Sequence, residues 1–265
     1  MCAGLVALST GSAGTKPDRP YFGTYNGARA DGPTTVSTNW AGYAVADPVG
    51  STSSTAFTSV TGTWKQPRAK CSVGKVEYSA TWVGLGGFTD ASRALEQVGT
   101  SADCRGTKKP TYYAWYELVP APSVKVKFKI TAGDVITTSV NVNGSSVLVQ
   151  LKNRTKHTVF TKQLVSATPD LSSAEWIEEA PAACSGFGSC HVLSLANFGK
   201  VSMTKSATIG STHPGTISDP AWQATAIQLV PGSNDPSVSP AGASPSALTA
   251  DGRGFDVLWQ PNAGG

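Results

Sequence analysis

Acidic side chains beside tryptophan are the residues of this sequence whose type and spacing best suit chemistry. The chain has 265 residues but only 17 Asp and Glu, and three of the glutamates fall in the apolar segment 174–180, AEWIEEA. Alternate residues of a β-strand share a face, so Glu175 and Glu179 would point the same way. A carboxyl group buried beside aromatic rings has its pKa raised by desolvation, as a general acid or base requires. This segment is therefore a candidate catalytic strand.

A second acid in an aromatic setting is Glu117, in the segment 112–118, YYAWYEL. A strand would place Glu117 on the same face as Tyr113 and Trp115. The alternative for each of these glutamates is a position at a strand end in water, where a carboxyl group keeps its ordinary pKa. Spacing alone is compatible with both interpretations.

Motifs of the common catalytic classes are absent from the sequence. There is no GxSxG, HExxH or Walker motif, no GxGxxG after a strand, and no Asp-Thr-Gly or Asp-Ser-Gly pair. The three histidines, His157, His191 and His213, lie in settings that do not suggest a Ser-His or Cys-His pair. Carboxylates or amides are left to carry any chemistry, and we expect no metal and no cofactor.

Composition and periodicity indicate which elements would hold these residues. Charged residues make up 14% of the chain, against about 25% in an average globular protein, and there are 28 Gly and 17 Pro. This balance argues against helical bundles. Short segments of alternating apolar and polar residues, separated by turns, predict an all-β antiparallel sandwich or barrel. The predicted strands cover 56–66, 77–85, 94–99, 111–119, 124–130, 134–142, 146–152, 157–165, 174–179, 192–209, 222–230 and 255–259.

The chain is predicted to form one domain over 36–265. Residues 1–35 contain a short apolar stretch and then no periodicity, so we interpret them as the remnant of a secretory signal followed by an arm or short pro-segment. The segment 231–247 is rich in Pro, Ser, Gly and Ala and is predicted to be a loop before a last strand within 253–259. The dipeptide Asn143-Gly144 predicts a two-residue hairpin turn.

Cysteine usage points to an oxidising compartment. Besides Cys2 near the start, the chain has Cys71, Cys104, Cys184 and Cys190. These four permit three pairings: Cys184 with Cys190 would close a small loop, and Cys71 with Cys104 a longer one. No two of them form a CxxC pair, which disfavours a zinc site. Paired cysteines and the signal-like start predict a secreted, extracellular protein.

The net charge of +4 is modest. Lys125, Lys127 and Lys129 alternate with apolar residues, which is typical of the solvent face of an amphipathic strand rather than of a site for an anionic partner. No apolar run approaches the roughly 20 residues of a membrane helix. We therefore expect no nucleic acid partner, no membrane association and a monomer.

Eight motifs in order give the chain a resemblance to a known family, the glutamic peptidases of the eqolisin type, in their bacterial branch. They are STNWAGY at 37–43, VTGTWKQP at 60–67, WVGLGG at 82–87, LEQVG at 95–99, YYAWYE at 112–117, AGDVI at 132–136, AEWIEE at 174–179 and LANFG at 195–199. The resemblance runs from about 36 to 230, and the terminal strand fits it too.

The resemblance implies a fold and a mechanism. It implies two antiparallel sheets packed as a lectin- or glucanase-like jelly roll, and an endopeptidase that acts on polypeptides through a Gln–Glu dyad. The catalytic glutamine matches Gln97 and the catalytic glutamate matches Glu179. In this mechanism Glu179 deprotonates a water molecule and Gln97 stabilises the oxyanion. Four further residues match positions that line or support the cleft: Trp40, Trp82, Trp115 and Glu117.

One departure from the family pattern concerns the WVGLGG segment. Fungal members carry an aspartate where this chain has Gly86, so one carboxylate of the site is missing. The fungal enzymes are also acidic proteins, whereas this chain has a sequence pI of about 8.8. We still expect an acid pH optimum, because the general base is a carboxyl group.

Two rival functions fit the same sandwich. A glycoside hydrolase would pair Glu175 with Glu179, but their α-carbons would be roughly 13 Å apart on one strand. Retaining enzymes of that kind need carboxyl groups about 5–5.5 Å apart. A non-catalytic carbohydrate- or peptide-binding module would use some of the seven tryptophans as a stacking surface.

Overall fold

Residues that are buried alternate with residues that are more exposed along the strands. In the segment Val135–Asn143 the side chains of Ile136, Thr138, Val140 and Val142 are buried, and those between them are more exposed. This two-residue period is what a strand with one face on a core requires. The structure is a computed structural model that describes residues 33–52, 54–89, 91–185, 189–230 and 241–261, with the backbone alone at 20–21, 184–185 and 189–190.

Nineteen strands are described, and no helix is present in the described ranges. They are β1 (Pro20–Tyr21), β2 (Thr34–Ser37), β3 (Trp40–Ala46), β4 (Phe57–Lys65), β5 (Val76–Leu85), β6 (Leu95–Arg105), β7 (Thr111–Val119), β8 (Val124–Val126), β9 (Val135–Asn143), β10 (Ser146–Asn153), β11 (Thr158–Val165), β12 (Ser173–Glu179), β13 (Ala182–Ser185), β14 (Ser189–Val192), β15 (Lys200–Gly210), β16 (His213–Gly215), β17 (Gln223–Leu229), β18 (Gly242–Pro245) and β19 (Phe255–Gln260).

The strands form one continuous large sheet that folds into two layers, and a small sheet β1-β13-β14. The order in the large sheet is β11-β10-β9-β4-β15-β19-β18-β17-β3-β12-β5-β6-β7-β8, with β16 on β15 and β2 on β17. Strands β4, β9 and β10 pack across from β5, β6 and β12. The predicted all-β sandwich is thereby confirmed.

The main core lies between the two layers. One layer contributes Val60, Trp64 and Val140, and the other contributes Val98 and Trp176, all at most 1% exposed. Burying a side chain of this size contributes roughly 1.5–3 kcal/mol. The hydrophobic contact between the layers therefore fixes which face of β12, β5, β6 and β7 points inward, and the remaining face is available for a site.

Two predicted strands are shorter in the structure. The strand predicted at 124–130 ends at Val126. The backbone N–H of Phe128 donates to the carbonyl of Val126, and this bond turns the chain out of the strand. The strand predicted at 192–209 begins only at Lys200. Before Lys200 the backbone makes isolated hydrogen bonds to different partners, such as the one from the N–H of Ala196 to the carbonyl of Tyr78. These bonds do not continue into a paired strand.

The terminal segments also differ in part from the predictions. The predicted arm within 1–35 includes β1 and the start of β2, which pairs in parallel with β17; residues 1–19 and 22–32 lie outside the described residues. The predicted loop 231–247 contains β18, while 231–240 are not described. The last strand, predicted within 253–259, covers Phe255–Gln260.

The predicted hairpin at Asn143-Gly144 forms one residue further along. Asn143 pairs with Ser146, so the two turn residues are Gly144 and Ser145. Gly144 has φ of 57°, in the left-handed region where glycine is at no disadvantage. Asn143 is the last residue of β9 and pairs with Ser146. The predicted turn required positive φ at both Asn143 and Gly144, and only Gly144 has it.

Of the four candidate cysteines, Cys71 and Cys104 form a disulfide with their α-carbons 5.3 Å apart. It ties the loop after β4 to the end of β6, beside buried Ala102 and Ala196. Cys184 and Cys190 occupy directly opposite positions on β13 and β14, but their side chains lie outside the described residues. Their pairing stays a prediction.

Candidate active site

Five adjacent strands, in the order β3-β12-β5-β6-β7, place the candidate residues on one face of the second layer. Their register aligns Glu175, Gly84, Gln97 and Glu117 in a single row across four of them. Paired residues of antiparallel strands project to the same side. Glu179 lies four residues further along β12 on that face.

Tryptophans surround these polar side chains. Trp40, Trp82 and Trp115 are all fully buried on the same face, in a cluster with Ile177. The rings of Trp40 and Trp82 meet edge to face, with centroids 4.9 Å apart. The indole N–H of Trp115 donates to the hydroxyl of Ser101 at 2.8 Å. The aromatic rings remove water from the site and keep its dielectric low.

Gly99 makes room for two of these rings. A Cβ at this position would lie 2.5 Å from Cβ of Trp82 and 3.1 Å from Cζ2 of Trp115. Both distances are shorter than normal van der Waals contact, so a side chain here would displace the rings. The glycine of the LEQVG motif therefore lets Trp82 and Trp115 approach each other beside Gln97.

Gln97 is held by Glu117. Its amide Nε2 donates a hydrogen bond of 2.8 Å to Oε2 of Glu117, and both side chains are completely buried. A hydrogen bond that is shielded from water in this way is electrostatically stronger than one in solvent. The bond also fixes which end of the amide is nitrogen, so Gln97 presents its N–H groups towards the acidic side of the site.

Glu179 is held by Trp82. The indole Nε1 of Trp82 donates to Oε2 of Glu179 at 2.8 Å. The other oxygen, Oε1, is also buried, and side-chain hydrogen bonds from Asn39 and Trp40 lower the pKa of the same carboxyl. Glu179 thus has one oxygen anchored by Trp82.

The protonation of Glu179 is controlled by burial and by a neighbouring acid. Burial raises the pKa of the Glu179 carboxyl well above its ordinary value of 4.5, the charge of Glu117 raises this pKa further, and the hydrogen bond from Trp82 lowers it. A perturbed carboxyl next to a second acid is typical of acid–base sites. Glu117 therefore connects the two predicted catalytic residues, by a hydrogen bond to Gln97 and through the electric field at Glu179.

The other glutamates of the 174–180 segment have different surroundings. Glu178 points to the opposite face, where its Oε2 accepts a 2.5 Å hydrogen bond from Thr81, and burial raises its pKa to about 8. Glu175 is buried towards Asp170 and Glu96, whose charges raise its pKa together with burial. Glu175 and Glu179 thus interact with different acids, which does not favour the pairing that a glycoside hydrolase needs.

Several residues around the site were not identified from the sequence. The side chain of Asn39 contributes a hydrogen bond that lowers the pKa of Glu179, and the N–H of Ala180 donates to its carbonyl. Glu96 and Asp170 lie beside Glu175. Asn39 could have been identified from the sequence, because it directly precedes Trp40 in the STNWAGY motif. Asp170 lies in none of the recognised motifs.

No metal site is found in the part of the chain that the structure describes. It contains no group of three or more His, Cys, Asp or Glu side chains placed to hold an ion. Of the histidines, His213 lies 3.0 Å from Asp219 near β16, away from the face that carries Gln97. Among the described residues there is also no helix long and apolar enough to cross a membrane.

The chain thus combines a two-layered antiparallel sandwich with a glutamine and carboxyl groups that are buried on one sheet face. The family model described as the Peptidase A4 family matches residues 38–242. The chain therefore belongs to the peptidase A4 family, the eqolisins, and is an enzyme of the glutamic peptidase type. A search of curated proteins found no match.

Solved structures of glutamic peptidases share the fold. Scytalido-glutamic peptidase with a transition state analog inhibitor is 24% identical with a TM-score of 0.67, over 84% of this chain and 98% of that one. SCP-B, an eqolisin in complex with the tripeptide Ala-Ile-His, is 22% identical with a TM-score of 0.63 over the same shares. Aspergilloglutamic peptidase from Aspergillus niger is 23% identical with a TM-score of 0.52, over 69% of this chain and 99% of that one.

The buried carboxyls generate a prediction about stability. Burial raises the pKa of Glu178 to about 8 and that of Glu96 to about 7, above the value of about 4.3 of an unfolded chain. The folded state then binds more protons than the unfolded state between these values, so stability falls as pH rises. We expect the Tm to be higher at pH 5 than at pH 8, and Glu178→Gln to reduce that difference.

The measurement is thermal unfolding by circular dichroism at both pH values. The control is Glu77→Gln, a partly exposed glutamate of β5, which should leave the pH dependence as in the wild type. A Glu178→Gln variant with the full wild-type difference in Tm would show that this carboxyl does not titrate on unfolding.

Proposed function

We propose that this chain is a secreted acid endopeptidase that hydrolyses peptide bonds with Gln97 and Glu179 as its catalytic dyad. The observation that carries the proposal is that Gln97, Glu117 and Glu179 share one buried sheet face, where Glu117 bonds to Gln97 and acts electrostatically on Glu179. The amide is a neutral donor, and the carboxyl has one oxygen anchored by Trp82. Together they provide the two functions that hydrolysis of an amide needs.

The first step is attack by water. Glu179, as a carboxylate, accepts a proton from a water molecule while the water oxygen forms a bond to the carbonyl carbon of the peptide. The carbonyl π electrons move to oxygen and give a tetrahedral oxyanion. A positioned general base contributes typically 10²–10⁴-fold to such a step.

Gln97 stabilises the oxyanion. Its Nε2 donates a hydrogen bond to Glu117, and in the mechanism this amide group also donates to the oxyanion. A donor fixed before the reaction costs no reorganisation when the charge develops, and such a donor is worth about 10²–10³ in kcat. Glu117 is therefore a positioning residue, because it acts through the Gln97 amide.

The second step is collapse of the intermediate. Glu179 gives the proton it took from water to the leaving nitrogen, the carbon–nitrogen bond breaks, and the oxyanion returns to a carbonyl. The products are a carboxylic acid and an amine, and no covalent bond to the protein forms. The proton taken in the first step is the one released in the second, so Glu179 ends as it began.

The substrate and the location of the enzyme follow from separate observations. Similar structures contain a peptide-based transition state analog or a tripeptide, which supports a polypeptide substrate here. The Cys71–Cys104 disulfide supports an extracellular location, because such bonds persist in oxidising compartments. The enzyme is proposed to act as a monomer.

The proposed pH optimum lies on the acid side of neutrality. Two buried carboxyls whose charges repel each other, as those of Glu117 and Glu179 do, share one proton more readily than they carry two charges. We take the singly protonated pair of Glu117 and Glu179 as the active form, with the charge on Glu179. Activity is then lost when the pair gains a second proton at low pH and when it loses the last one at high pH.

Removing either member of the dyad should abolish proteolysis. We expect Gln97→Ala to lower kcat/KM by about 10²–10³-fold, through loss of the oxyanion donor. We expect Glu179→Gln to lower it at least as much, because an amide accepts no proton from water. Casein or peptide digestion at pH 3–6, insensitive to pepstatin and chelators, is the measurement.

The matched controls are Gln163→Ala and Glu77→Gln, which change the same residue types on β11 and β5 away from the site, and they should retain wild-type rates. Circular dichroism must show that all four variants are folded. Normal cleavage by Glu179→Gln would refute the dyad as assigned.

Replacing Glu117 tests whether it titrates together with Glu179. Glu117→Gln removes the charge that Glu117 gains when the pair loses its last proton, a charge that raises the pKa of Glu179, but keeps an oxygen that accepts the bond from Gln97. The limbs of the kcat/KM profile report ionisations of the free enzyme. Because Glu117 is neutral in the active form, we expect the acid limb to stay in place and the loss of activity at high pH to disappear. An alkaline limb that persists unchanged in Glu117→Gln would contradict the assignment.

A further inference from the structure

A cavity of about 830 Å³ opens where β6 begins and β7 ends, at the end of the sheet face that carries Gln97. Its walls are two loops and a strand end: 89–94, which leads into β6, 166–172, which leads into β12, and the end of β7 at Leu118 and Val119. A cavity of this volume is in the range of ligand pockets and holds several amino-acid side chains. None of its lining residues has a role in the mechanism above.

Hydrogen bonds join the two loops, so the cavity is a built feature of the fold. The hydroxyl of Ser92 donates to the carboxylate of Asp170. Oε2 of Glu96 accepts from the backbone N–H of Asp170 at 3.2 Å, and Oε1 accepts from Ser166 at 3.2 Å. Thr89 and Ser172 also share a hydrogen bond of 3.0 Å. Side chains on both loops thus hold the cavity walls together.

The backbone at Gly86 makes this arrangement feasible. A Cβ on Gly86 would lie 2.5 Å from Cβ of Asp170 and 2.7 Å from its carboxyl carbon. Gly86 also has φ of 79°, which side-chain residues rarely adopt. Asp170 therefore occupies the space of a residue-86 side chain and anchors the second loop at that point.

The lining selects an apolar guest. Leu118, Val119, Pro120, Val165 and Leu171 contribute apolar surface, and Val165 is 78% exposed. An exposed branched apolar side chain at the wall of a cavity gains free energy when a partner covers it.

The charged residues of the lining do not favour a charged guest. They are Arg93 and Asp170, whose opposite charges leave no excess of either sign. Asp170 is already committed to Ser92 and to the N–H of Ser172, which donates to its Oδ1 at 2.9 Å.

The cavity lies within reach of a bound peptide on the Gln97 side of the dyad. Val119 lines it two residues after Glu117, which contacts Gln97, and Ala94 lines it three residues before Gln97. Three residues of extended chain span about 10 Å, and Glu179 lies further away, at the other end of β12. A side chain two to four residues from the scissile bond of a bound substrate would therefore reach the cavity.

We propose that this cavity is a specificity subsite that binds a large apolar side chain, aromatic or branched, of the peptide substrate, two to four residues from the cleaved bond. The inference rests on the proposed peptidase function and adds a preference to it. Burying such a side chain contributes roughly 1.5–3 kcal/mol, which corresponds to about 10–150-fold in kcat/KM.

Cleavage-site profiling tests the proposal. Wild type, Ala167→Trp and Ala250→Trp digest the same complex peptide mixture, and the cleaved sites are read by mass spectrometry. Ala167 is an exposed residue of the cavity wall, so a tryptophan there fills the cavity without entering the core. Ala250 is an exposed residue of the β18–β19 connection and serves as the matched control.

We expect the wild type and Ala250→Trp to prefer Phe, Leu or Tyr over Gly and Ser at one position two to four residues from the cut, by about tenfold or more. Ala167→Trp should lose that preference and keep the rest of its profile. An unchanged profile in Ala167→Trp, or a wild type with no apolar preference in that range, overturns the subsite while the peptidase stands. A wild type that cleaves nothing refutes the peptidase and the subsite together.

Discussion

The register of the strands β12, β5, β6 and β7 is the constraint on which the site depends. A shift of one residue in any of these pairings would turn every side chain of that strand to the opposite face. The register is fixed by the other face, where Trp176 and Val98 pack into the core between the two layers. The same hydrophobic contact that stabilises the sandwich therefore delivers Gln97, Glu117 and Glu179 to one surface.

Acidic residues are used unevenly in this protein. Among the residues that the structure describes, seven Asp and Glu are buried, although charged side chains are seldom fully buried without a partner. Burial raises the pKa of several of them, so the fold holds protons that a solvent-exposed carboxyl would release.

The parts of the structure that local patterns determine were predictable from the sequence. Alternation located most strands, and ordered motifs identified the family. Contacts made by distant segments were not predictable: Asp170 reaches the space above Gly86 only because the loop before β12 folds over the loop before β6. The hydrogen bond between Gln97 and Glu117 depends on the β6–β7 register, which no local spacing specifies. The short strands β2 and β18 have no alternation of apolar and polar residues in the sequence. β2 forms on the edge of β17, and β18 pairs mainly with β19.

The proposed mechanism requires Gln97 and Glu179 to act on the same tetrahedral centre. The most direct measurement is a crystal structure of the chain with a tetrahedral analogue of peptide hydrolysis. We expect one oxygen of the analogue about 2.7–3.1 Å from Nε2 of Gln97 and the other in hydrogen-bond contact with the carboxyl of Glu179. A tetrahedral centre bound away from either side chain, or one held by Glu175 in place of Glu179, would contradict it.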